Sequence, residues 1–183
     1  MRLVLLPLLL AACAPVLDPA RPLLPSEHGQ ALLAPLIQDG VLLDLAGAPA
    51  RLPSLRGRAG TVIVLTASFC DPAALGNLLR QAAVLRPQGV EIVVISLDHD
   101  QRSFDELVRP PEVPILTASA DARSSLRAET MLPTTVLLDA AGRVLRRYDG
   151  EVPVADLAAD LERVPDYIAQ AGASRRLVAA LSP

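Results

Sequence analysis

Beyond residue 40 the apolar positions follow two rhythms. Thr61 to Ser68 (TVIVLTAS) and Glu91 to Leu97 (EIVVISL) are unbroken apolar runs rich in β-branched residues, the pattern of strands covered on both faces. Between them Leu75, Leu78, Leu79, Ala82 and Leu85 recur at three- and four-residue spacing. That spacing predicts a helix with one buried face, ended at Pro87-Gln88-Gly89. Val41 to Leu45, the turn Ala46 to Pro49 and Ala50 to Leu52 predict a hairpin. Asp100 can cap a helix running through Phe104 and Leu107 and stopping before Pro110-Pro111. Val113 to Thr117 predicts a short strand and Asp121 to Glu129 a short helix. Thr134 to Asp139 and Arg143 to Tyr148, joined by Ala140-Ala141-Gly142, predict a second hairpin. Val154, Leu157, Ala158, Leu161 and Val164 mark a closing amphipathic helix, with residues 166–183 as its extension or a tail. Strand–helix–strand units imply right-handed parallel crossovers, and the late hairpin implies an antiparallel edge. The fold class expected is therefore α/β: a mixed central sheet, helices on both faces, and a β-hairpin extension at the N-terminal side.

The first residues obey neither rhythm. MRLVLLPLLLAAC has one charge, Arg2, then an apolar run too short to span a bilayer as a helix. This is the layout of a signal peptide. Leu10-Ala11-Ala12-Cys13 resembles the lipobox of bacterial lipoproteins, whose peptidase cuts before the cysteine and whose thiol receives lipid. Residues 1–12 are thus expected to be a signal peptide and Cys13 a lipid anchor. Residues 13–37, with prolines crowded at their start, are read as a tether before a domain spanning 38–165. Ala14 after Cys13, where an Asp would retain an enterobacterial lipoprotein in the inner membrane, points to the periplasmic side of the outer membrane.

Composition narrows the chemistry. At 183 residues and 51% hydrophobic, the chain can bury one sizeable core, but only 2% of residues are aromatic, so that core rests on Leu, Val, Ile and Ala. Every basic residue is Arg. Without lysine there can be no lysine Schiff base, phosphate clamp or general base. The net charge of -3 and the lack of a basic stripe argue against nucleic acid as a partner. No dinucleotide fingerprint, Walker loop or zinc cluster is present, so no cofactor or metal is expected.

Two places could carry chemistry. Cys70 follows the first central strand and precedes a helix, in TASFC-DPAALGNLL. A helix start favours an anion, so a thiolate there would be stabilised and more reactive. Asp71 opposes this as a neighbouring carboxylate, while Pro72 suits the first helical turn. The second place is Met131-Leu132-Pro133-Thr134. A proline directly before a buried strand cannot donate to the ladder, and it marks a strand start or a tight turn with a cis bond.

Together these places resemble the thioredoxin superfamily, in its TlpA/ResA-like periplasmic branch. That branch carries a stretch like ASWCPPC, matched here by Ala67-Ser68-Phe69-Cys70-Asp71-Pro72-Ala73. Its TPTT segment and FLID-x-x-G-R hairpin are matched by Leu132-Pro133-Thr134-Thr135-Val136-Leu137-Leu138-Asp139-Ala140-Ala141-Gly142-Arg143. Leu52-Pro53-Ser54-Leu55-Arg56-Gly57 is similar to its LSDLRGK turn. The resemblance implies a three-layer α/β/α thioredoxin-like fold over residues 38–165. It also implies a cis Pro133 facing Cys70, with Phe69, Asp71, Pro72, Leu132 and Thr134 around a bound substrate. The departures are as informative. Ala73 replaces the resolving cysteine, Phe69 the usual Trp, and Val64 the buried acid of thioredoxin itself. A disulfide within the site cannot form.

Three functions stay open at this point. Cys70 could act alone in extracytoplasmic thiol–disulfide chemistry, forming mixed disulfides with protein thiols or disulfides or with a small thiol. The chain could instead be a redox-silent adaptor holding a partner peptide against Leu132-Pro133. As a minor alternative, His99 and Cys70 could deliver copper as in Sco-type chaperones, although these use CxxxC and position 74 is Ala. Ile63 and Ala67 stand where peroxiredoxins carry Pro and Thr, which argues against peroxidase activity. His28 is expected to be solvated.

Overall fold

The computed structural model describes residues 27–37, 41–98, 113–153 and 155–164. The expected signal peptide, Cys13, His99, the helix from Asp100 and the tail from 166 lie outside these residues, as does the His28 side chain.

The elements are α1 (Glu27–Leu33), β1 (Leu42–Asp44), β2 (Pro49–Ala50), β3 (Gly60–Thr66), α2 (Pro72–Leu85), β4 (Val90–Ser96), β5 (Ile115–Ala118), α3 (Ala120–Glu129), β6 (Thr134–Asp139) and β7 (Val144–Asp149). A last helix, α4, covers residues 155–164. One seven-stranded sheet runs in the order β2-β1-β5-β4-β3-β6-β7. β3, β4 and β5 are parallel neighbours, while β6 pairs antiparallel with β3, and β1 with β5. The mixed sheet read from the sequence is the sheet that forms.

β3 is an interior strand of this sheet, between β4 and β6, and every residue in it is buried. Its alternation divides the core. Val62 and Val64 face α2 and α4, packing with Leu75, Leu79, Leu157 and Leu161. Ile63 and Leu65 face α1 and α3, packing with Leu32, Leu36, Ala122 and Leu126. Burying a leucine such as Leu79 fully is worth about 1.5–3 kcal/mol.

A tether reaching residue 37 is not what forms. Residues 27–37 make α1 and a 3-10 turn, and Leu32, Leu33 and Leu36 are buried against the sheet. Gln30 accepts the Val144 N–H at 3.2 Å, satisfying a donor on the outer strand β7. The spacing 32, 33, 36 was a helical stripe hidden behind the prolines, and the folded domain begins before residue 38. The first hairpin is also shorter than expected. Leu52–Leu55 is a 3-10 turn rather than strand, because Pro53 has no N–H for a ladder.

Two turns explain motifs read from the sequence. After Arg56, a Cβ on Gly57 would fall 2.6 Å from the Glu91 nitrogen and the Gly89 oxygen, so only glycine lets these backbones meet. In the β6–β7 turn the buried Asp139 carboxylate accepts the N–H groups of Ala141 and Arg143, both at 2.9 Å, and pairs with the Arg143 guanidinium at 2.6 Å. Gly142 takes φ 78° there. The D-x-x-G-R pattern is a self-contained electrostatic clasp for a hairpin.

Candidate functional site

The cysteine loop leaves the carboxyl end of β3, which is where sites form in open α/β sheets. Cys70 N–H donates to the Ala67 carbonyl at 3.0 Å, closing a tight turn. The turn is held from the neighbouring strand: Ser68 N–H donates to the Asp98 carboxylate at 2.6 Å, just past the end of β4. Asp98 is buried and has Arg127 of α3 at 3.6 Å, and Arg127 in turn donates to the Leu97 carbonyl at 2.5 Å. Asp98 is thus a positioning residue for the Cys70 loop. The sequence hid it because a polar residue after a strand reads as solvated loop.

Helix α2 begins one residue later than a thiol at its start would require. Asp71 is the N-cap, with extended backbone and a side chain accepting the Ala73 N–H at 2.8 Å, and Pro72 occupies the first turn. The group meeting the free N–H groups is therefore the Asp71 carboxylate, and Cys70 stands just before it. Cys70 is half-buried and is the free cysteine among the described residues.

The second loop brings in proline. The Leu132–Pro133 bond is cis, and the Pro133 carbonyl accepts the Gly150 N–H at 2.7 Å. Cys70, Asp71 and Pro133 line one cavity of about 320 Å³, together with Thr66, Thr135 and Glu151. The sequence named the first three. It missed Thr66 and Thr135, which come from β3 and β6 on either side of Val64. Val64 is the register partner of Thr135, and it also lines the cavity. The signal available was the strand period: 64 and 66 share a face, so a polar residue at 66 belongs beside the position of the missing acid.

The remaining residues named from the sequence lie elsewhere. Phe69 is 72% exposed, and Pro72 is exposed at the helix start. Leu132 packs against the opposite apolar cluster with Ile63 and Leu65. Thr134 is fully buried and donates to the Met131 carbonyl at 2.8 Å. Leu132 and Thr134 are not among the residues lining the cavity, whereas Thr135 is.

A second polar cluster lies on the α2–α4 side. Asp160 of α4 is 2% exposed. It accepts the Tyr148 hydroxyl, pairs with Arg146 at 2.6 Å and has Arg163 at 3.4 Å. Burial first, then the Asp160 carboxylate, push the Tyr148 phenol well above its ordinary range.

No family model matches the chain, and no curated protein matches its sequence. Solved structures do match in shape. A protein assigned as a thiol:disulfide interchange protein DsbE of Chlorobium tepidum aligns over 70% of this chain and 91% of its own, at 23% identity and TM-score 0.55. A thiol-disulfide oxidoreductase of Bacteroides fragilis aligns over 70% and 98%, at 19% identity and TM-score 0.56. A thiol:disulfide interchange protein of a Bacteroides species aligns over 70% and 86%, at 16% identity and TM-score 0.56. On that likeness in shape, this chain is a thioredoxin-fold protein.

Proposed function

We propose that the chain is a lipid-anchored extracytoplasmic protein that carries out thiol–disulfide chemistry through Cys70 alone. One observation carries the reading: in a thioredoxin fold, Cys70 and the cis Pro133 line the same cavity. The Cys70 thiolate attacks a partner disulfide and one half of the partner leaves as a thiolate, giving a mixed disulfide. Ala73 offers no second sulfur, so an external thiol resolves the adduct. The sequence Leu10-Ala11-Ala12-Cys13 supports export and lipid attachment at Cys13, with the domain on the periplasmic side of the outer membrane.

The test is capture without reductant, using wild type and Cys70→Ala. Covalent adducts released by thiol and lost in the variant are the expected result. Failure of native Cys70 to react with disulfides or alkylating agents, when the denatured chain does react, would overturn the reading. For the anchor, Cys13→Ser is expected to move the protein from the membrane to the soluble fraction and to abolish fatty-acid labelling.

A second reading, a redox-silent adaptor, draws on one observation. Phe69 and Met131, 72% and 66% exposed, stand in the two loops that carry Cys70 and Pro133. Large apolar side chains beside a cavity suit contact with a partner. On this reading Cys70→Ala retains partner capture and Phe69→Ala loses it.

A further inference from the structure

Two buried hydroxyls in the cavity have no structural task. Thr66 and Thr135 are 2% and 3% exposed and line the cavity. Neither side chain makes a hydrogen bond to a described residue. Neither hydroxyl is sealed off as a buried unsatisfied atom, so both open onto the cavity and are available to a ligand donor. The charge around them is one-sided. Asp71 and Glu151 line the cavity, and no lining residue is basic. Arg80 donates to the lining residue Asn77 but does not itself line the cavity.

We propose that this cavity selects small, positively charged disulfides of the aminothiol class. The Thr66 and Thr135 hydroxyl oxygens accept hydrogen bonds from the ligand's ammonium group, and Asp71 and Glu151 supply the attraction. The inference rests on Cys70 being a reactive thiol. The cavity volume of about 320 Å³ lies at the small end for ligand pockets, which suits a compact molecule. In the reaction Cys70 sulfur bonds to one sulfur of the ligand, and the ligand S–S bond breaks. The departing half leaves as a thiolate and takes up a proton. Cys70 is oxidised to the mixed disulfide, and the departing half is reduced.

The full chain is treated at low salt with cystamine (cationic), 2-hydroxyethyl disulfide (neutral) or 3,3′-dithiodipropionate (anionic). Adduct formation at Cys70 is followed by intact mass. Each rate is divided by that of a free cysteine derivative, which removes the intrinsic reactivity of the reagent. The expected order is cationic, neutral, anionic, with about tenfold between the extremes, shrinking as salt rises. Asp71→Asn with Glu151→Gln brings the ratio to about twofold or less. Thr66→Val with Thr135→Val lowers the normalised cystamine rate about threefold or more while circular dichroism stays unchanged, since each lost hydrogen bond to a charged partner is a substantial term. Adducts with all three reagents and no dependence on charge would sink this inference and leave reactive Cys70 intact. No adduct with any reagent, while the denatured chain reacts, would sink the underlying reading instead.

Discussion

The Cys70 cavity and the Asp160 cluster lie on the same side of the sheet, and they treat polar groups in opposite ways. Around Asp160 the polar groups are gathered on a partner: Tyr148, Arg146 and Arg163 all converge on one buried carboxylate. Nothing is left over for a ligand, and the cluster ties α4 to β7. Around Cys70 the reverse holds. Two threonine hydroxyls open onto the cavity without a hydrogen bond to a described residue, and the two lining carboxylates have no cation among the lining residues. The first cluster is closed on itself, and the second leaves polar groups open to a cavity.

Four measurements would break or sharpen that contrast. The largest effect is expected at Asp160. Asp160→Ala removes a buried carboxylate from the largely buried side chain of Arg146, and breaking such a pair costs about 3–5 kcal/mol. Urea unfolding should show the loss, while alkylation of Cys70 in the folded protein changes by less than about twofold. A tenfold change in Cys70 labelling would mean that the two regions are coupled.

Tyr148 gives the next effect and a pH signature. Tyr148→Phe deletes a hydrogen bond to a carboxylate, worth about 1.5–3 kcal/mol. The native phenol holds its proton more tightly than the unfolded one. The stability it contributes is thus fully present below the unfolded value near about pH 10 and is lost as pH rises above it. Wild type should lose about 1.4 kcal/mol more per pH unit than Tyr148→Phe in that range. Parallel stability curves for the two proteins above that pH would contradict this assignment.

Asp71→Ala should cost about 1 kcal/mol, the usual worth of an N-cap side chain. An unchanged denaturation midpoint would place the cap elsewhere. The smallest effect belongs to Phe69. Its ring is exposed, so Phe69→Ala should alter stability by less than about 0.5 kcal/mol. A larger loss would show that the ring packs on the domain in solution.

Unbroken apolar runs were sufficient for β3 and β4, the 3.6-residue period for α2, and the turn between two short apolar runs for β6 and β7, because each signal lies within its own segment. The Asp139–Arg143 clasp was also local, so its motif could be read as a hairpin. Local chemistry likewise marked Cys70 and Pro133 as points of interest. Other features needed the chain to come together. Helix α1 was masked by neighbouring prolines, and only packing against β7 shows that Leu32, Leu33 and Leu36 belong to the core. Asp160 lies on the buried face beside Leu157 and Leu161, but its partners Tyr148 and Arg146 come from another element. Thr66 and Thr135 are distant in sequence and become neighbours of one cavity only through the β3–β6 pairing. Periodicity and short motifs record what each segment does with its own neighbours. Which polar groups end up satisfied depends on contacts between segments, and that is why the candidate site took shape only in the tertiary structure.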